Sequence, residues 1–132
     1  MGKSTSKVIL LFLLFSSSCF AGEFKHFNEW ETSEKAEFSA FVALSAIDYS
    51  QSTWAMRQKD SNGNPLYYEW NPLYGKRPSN EKIALGQLLG IAAYYCVIGN
   101  QNPKFVRGIV LGVKLGVVLH NDSVGIGISK SF

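Results

Sequence analysis

An all-α fold, a three-helix bundle of the transmembrane type ending in a short extended C-terminal tail, is what this sequence predicts, and three observations predict it. Apolar stretches of helix length run from Phe38 to Met56, Ile83 to Gly99 and Phe105 to Leu119, and none holds a proline. Small residues recur in each at helical spacing. Turn chemistry separates them, with Pro72, Gly75 and Pro78 before the second stretch and Asn100 and Pro103 after it.

Ahead of these segments the chain reads as an export leader. Basic Lys3 and Lys7 precede the apolar run Val8 to Phe15, and small residues lead to Cys19-Phe20-Ala21. Cleavage after Ala21 is expected, giving a signal peptide over 1–21 and a single small domain over 22–132. Lipidation at Cys19 competes, but Ser16-Ser17-Ser18 lacks the aliphatic residue usual ahead of a lipidated cysteine. Once the leader is gone, Cys96 is the one remaining cysteine, so packing rather than an internal disulfide must hold the domain. Its apolar surroundings predict a buried, inert thiol.

Charge excludes some functions and orients the chain. Of the net +3, Lys3 and Lys7 belong to the leader, which leaves eleven basic against ten acidic residues and no concentrated basic stripe, so nucleic acid is excluded as a partner. The first segment, Phe38 to Met56, carries one charge, Asp48; the second carries none; the third carries Arg107 and Lys114. Before the first segment, Glu23 to Glu37 holds five Glu against two Lys, whereas the connection Arg57 to Lys82 holds five basic residues against three acidic. That asymmetry places the connection in the cytoplasm and the acidic segment outside. Trp54, Tyr67, Tyr68, Trp70 and Tyr74 around the connection fit an interfacial aromatic belt. Inner membrane is the expected location, with periplasm or outer-membrane association as alternatives.

Within the segments, Ser79 is the expected N-cap of the second helix. Ser39, Ala43, Ala46, Ser50 and Thr53 on the first, Gly86 and Gly90 on the second, and Gly108, Gly112 and Gly116 on the third predict close helix approach. A mid-helix glycine costs about 0.5–1 kcal/mol relative to alanine, so five of them imply a compensating gain from tight packing in lipid. The competing reading is a soluble bundle with close crossings.

A carboxylate in an apolar helix demands a partner, and Lys114 or Arg107 is the natural one for Asp48. Gln51 and Thr53 lie within the next turn or so. The connection then offers Glu69, Asn71, Pro72, Gly75 and Pro78, in which Glu69 and Asn71 can satisfy nearby backbone donors. No phosphate loop, metal-spaced His or Cys cluster, or Ser-His-Asp order is present, and no cofactor is implied. The tail from Val124 to Phe132 alternates at period two, as a short strand would. A membrane barrel, needing at least about eight strands, does not fit a chain occupied by helices.

DYSQST over Asp48 to Thr53, followed by EWNPLYGKRPS over Glu69 to Ser79, resembles a set of small uncharacterised membrane proteins of bacteria and their phages that carry D-x-x-Q-T on a helix and then E-x-N-P-x-x-G-x-x-P. His120-Asn121 and Gly125-Ile126 extend the likeness over residues 40 to 127. Ser52 stands where the group has Thr. The resemblance implies a shared helical fold with Asp48, Gln51, Glu69, Asn71 and Asn121 as its polar signature, and no activity.

The expectation is therefore an exported envelope protein that works by protein–protein interaction, with membrane lipid around it and another envelope protein or a homo-oligomer as partner. A phage or accessory role would fit its size. Two rivals remain: an envelope enzyme using Asp48, Glu69 and His120, and a soluble periplasmic binding module.

Overall fold

The computed structural model describes residues 23–69 and 74–127, and among them the fold is all-α. A single 3-10 turn, Phe27–Glu29, precedes three helices: α1 (Thr32–Arg57), α2 (Asn80–Gly99) and α3 (Lys104–Ser123). The leader, Asn71, Pro72 and the last five residues lie outside the described residues.

Local chemistry sets each boundary. α1 starts six residues before Phe38, because the Glu31 N–H donates to Glu34 Oε2 at 2.9 Å and supplies a start that hydrophobic periodicity does not record. At its end the Arg57 and Gln58 side chains donate back to the Thr53 and Trp54 carbonyls. α2 is capped by Ser79, whose Oγ accepts from Lys82 N as its position suggested. Asn100 and Asn102 close α2 by donating side-chain amides to Cys96 O and Val97 O.

At the end of α3 the structure departs from the expected strand. Gly125, at φ 87°, donates to Asp122 O while Ile126 N reaches Asn121 O at 2.9 Å. This is a Schellman cap, which asks for a left-handed residue that glycine adopts without a Cβ penalty. The start of the alternating tail is thus a helix stop that folds Ile126 back into the protein, where it is buried.

α1 is the central element. It packs along both other helices, which touch each other far less. Glu34 meets Arg107 and Asp48 meets Lys114, so α1 and α3 run parallel; Phe41 meets Tyr94 and Asp48 meets Gln87, so α2 runs antiparallel to α1. The apolar core lies where α1 begins and α2 ends: Trp30, Phe41, Tyr94, Val97 and Ile98, with Phe38 and Tyr95 against them. Phe41 stacks on Tyr94 with ring centroids 4.4 Å apart, and Trp30 meets Tyr95 at 4.8 Å. Cys96 is in no disulfide and is half-buried rather than fully enclosed.

The glycines do not act as spacing suggested. A Cβ at Gly86 would run into the Tyr74 ring, a loop side chain, and one at Gly90, Gly108, Gly112 or Gly116 would meet nothing within 4 Å. The three α3 glycines are exposed, as are Ser39, Ala43 and Ala46 on α1. Within one chain, then, side chains rather than glycine-mediated backbone contact join the helices. Gly86→Val is expected to displace Tyr74 and cost about 1–3 kcal/mol, as overpacking does. Gly112→Ala should instead stabilise the chain by up to about 1 kcal/mol through helix propensity. Thermal unfolding of both variants checks this, and a destabilised Gly112→Ala would show that the outer face of α3 is already occupied.

Candidate functional site

A set of charged and amide side chains from the three helices meets in three levels. At the first, Arg107 of α3 is only 3% exposed; its Nη1 donates to Glu34 Oε1 at 2.6 Å and its Nε lies 3.2 Å from Glu37 Oε2. The Tyr94 hydroxyl donates to the Arg107 carbonyl at 3.4 Å. Burial works to raise the Glu34 carboxyl, but the Glu31 N–H and the Arg107 guanidinium outweigh it and hold that carboxyl below its ordinary range.

The second level is the middle of the bundle. Lys114 Nζ donates to Asp48 Oδ2 at 2.6 Å and to Gln87 Oε1 at 2.6 Å, while Gln87 Nε2 donates to the same Asp48 oxygen at 2.8 Å. One residue from each helix thus closes a triangle. Gln87 serves as donor to the acid and acceptor from the base, using the separate nitrogen and oxygen of its amide for the two roles. Of the two partners proposed for Asp48, Lys114 is the one chosen; Arg107 is committed two helical turns away.

At the third level, Asn121 Nδ2 reaches Asp48 Oδ1 at 3.4 Å and Gln51 Oε1 at 3.3 Å. Gln51, fully buried, donates its own amide to Val118 O and, at 3.0 Å, to Ile126 O. The Schellman turn is therefore pinned to α1 by a side chain singled out from sequence. The network needs all of its members, since a buried amide left half-satisfied costs about 1–3 kcal/mol.

A cavity of ≈ 1070 Å³ opens beside the second and third levels, lined by all three helices and by the connection before α2. Asp48, Lys114, Asn121, Glu69 and His120 all line it, so the acid–base residues scattered in sequence do converge on one space. Asp48 nonetheless has both oxygens engaged by Lys114, Gln87 and Asn121, which leaves it poorly placed to take a proton from a substrate. Tyr74 covers part of the cavity beside Gly86; burial, then the charges of Asp48 and Glu69, push its phenol above the ordinary value.

Other predicted residues fall outside the network. Thr53 is buried but donates to Ser50 O of its own helix. Asn71 and Pro72 are among the undescribed residues, while Gly75 turns the connection at φ 78° and Pro78 is buried beside the start of α2. Sequence reasoning missed Gln87, Glu34, Glu37 and Ser45. Gln87 had a signal, as the one amide side chain in the charge-free stretch Ile83 to Gly99. Ser45 is 2% exposed, lines the cavity, and its Oγ has no hydrogen-bond partner. No protein family matches the chain, and neither a curated protein nor a solved structure does.

Proposed function

We propose that this chain is an exported protein of the inner membrane, seated in lipid as a three-helix unit, that works by contact with other membrane components. The observation that carries the reading is the inverted polarity of α3. Arg107 and Lys114 point inward at 3% and 14% exposure, whereas Phe105 is 76% exposed, Val113 64% and Leu119 57%. A helix bathed in water turns its charges outward. One bathed in hydrocarbon turns them inward and pairs them.

α2 supports the same reading. Its 20 residues, Asn80–Gly99, make it the one described helix long and apolar enough to cross a membrane, and 33% of that apolar window is buried. At about 1.5 Å per residue it matches a hydrocarbon layer of about 30 Å. Leu85, Leu88 and Leu89 stand half or more exposed along it. The outer faces of α2 and α3 form a continuous apolar exterior well beyond the scattered hydrophobics of an ordinary soluble surface.

Contact with a partner helix suits the exterior of α3. Gly108, Gly112 and Gly116 lie exposed in one line among Ile109, Val113 and Leu115, a surface that a helix of another envelope protein or of a second copy can approach closely. Alkaline carbonate extraction of membranes carrying the full chain tests the reading. The chain is expected to stay with the pellet and to need detergent for release. Quantitative recovery in the supernatant would overturn the proposal.

A further inference from the structure

We propose that the cavity walled by the three helices and the connection before α2 binds a long-chain apolar molecule bearing an uncharged carbonyl oxygen, which is received by Ser45 and Lys114. The inference rests on the membrane reading, since such a molecule reaches the cavity from surrounding lipid.

A hydroxyl with no partner and an ammonium with one proton to spare define the polar end of the site. Ser45 Oγ is buried and unpartnered, an arrangement that folding leaves in place at a cost unless something else fills it. Lys114 gives two of its three ammonium protons to Asp48 and Gln87; its Nζ also stands 6.0 Å from the centre of the Phe41 ring, a contact at the limit of cation–π range, and no oxygen acceptor for the third proton is found among the described residues. Ser45 stands one helical turn before Asp48, and both it and Lys114 line the cavity. An ammonium has only donors to offer, so the missing group is an acceptor.

Charge balance makes that acceptor neutral. Asp48 and Lys114 already compensate one another, so an anion would draw Lys114 from Asp48 and a cation would draw Asp48 from Lys114. Either exchange strands a buried charge. A carbonyl oxygen adds a bond without breaking one.

The remainder of the site is built for a chain. Phe41, Val113 and Val117 supply apolar wall, and Gly90 and Gly116 present bare backbone, where a Cβ would meet nothing within 4 Å. A volume of ≈ 1070 Å³ lies at the upper end of what holds a drug-sized ligand. Leu66, Tyr67, Tyr68 and Tyr74 of the connection complete the lining, and since α2 and α3 touch so little and carry apolar exteriors, the proposed route in is lateral, from the hydrocarbon.

Two sources share this chemistry, the acyl ester of a membrane lipid and the carbonyl of a quinone. The full chain in nanodiscs of a dialkyl ether lipid, which brings no ester carbonyl of its own, is titrated with methyl palmitate, with decylubiquinone, and with hexadecane as the carbonyl-free control. Saturable binding of either carbonyl probe is expected, and whichever binds identifies the source. Ser45→Ala should weaken that binding about three- to tenfold, the worth of one hydrogen bond, without altering hexadecane uptake. Gly90→Leu, which fills the wall, should abolish binding of every probe while the helical circular-dichroism melt stays cooperative. Absence of saturable binding by both carbonyl probes, or binding unchanged in Ser45→Ala, overturns the inference. A chain that holds to membranes in carbonate yet binds neither probe refutes this site alone, whereas release by carbonate refutes the membrane reading beneath it.

Discussion

Lys114→Met is expected to lower unfolding stability by about 3–5 kcal/mol, the penalty for stranding one member of a buried ion pair. The methionine keeps much of the side-chain volume, so the loss isolates the ammonium. Without it, Asp48 retains only the Gln87 amide and the long contact from Asn121, and Gln87 Oε1 loses its donor. Asp48→Asn is expected to be milder, because the substituted amide can still accept from Lys114 and Gln87, and to lower accumulation of the chain before any interaction. The double variant Asp48→Leu/Lys114→Met should recover most of the single-variant loss, since a buried pair is nearly break-even against well-packed apolar residues. Equilibrium unfolding in mixed micelles, arranged as a double-mutant cycle, reads all of these. A Lys114→Met chain within about 1 kcal/mol of the parent, the value of an exposed pair, would mean that water in the cavity solvates Asp48 and that the triangle holds nothing together.

Much of this bundle was legible because apolar runs and stop signals are local. The three segments, the Ser79 cap and the Asn100 stop follow from side chains acting on their own backbone, and the structure has a helix over each segment, α1 beginning six residues early and α3 ending four residues late. The partner of Asp48 was narrowed to Lys114 or Arg107 because few basic residues lie within the apolar segments, and the structure picks Lys114. Direction was the information missing. Four-residue spacing says that Gly108, Gly112 and Gly116 share a face, and says equally that Arg107 and Lys114 share the opposite one, but not which face turns inward. Here the ion pairs decide, and the glycines are left outside. Val124 to Ile126 failed for a related reason: period two over a few residues cannot separate a strand from a helix stop, and the hydrogen bonds of Gly125 and Ile126 do. Ser45 was invisible, and Gln87 marked only as a lone amide in an apolar stretch, because each acts through partners on another helix or in a cavity, which no spacing within one segment encodes.

Arg107→Met is expected to cost about 3 kcal/mol, at the low end of the range for a broken buried pair because Glu37 is 28% exposed and water can reach it. The pH dependence separates this loss from simple damage to packing. In the parent chain the Glu34 carboxyl lies below its ordinary value of 4.5. Its contribution to stability is therefore fully present above that value and is lost as pH falls through the lowered one, because the unfolded chain takes up the proton first. Removing Arg107 takes away its hydrogen bond and its charge, leaving the Glu31 N–H and the charge of Lys25 to oppose burial. The folded and unfolded values then move towards each other, and the acid-sensitive part of the stability shrinks. The difference between parent and variant should accordingly be largest near neutral pH and narrow as the pH is lowered below 4.5. Unfolding curves collected from pH 7 downward measure that narrowing, and a constant gap across the range would mean that Arg107 contributes through the packing of its aliphatic stem against α1 and not through its charge.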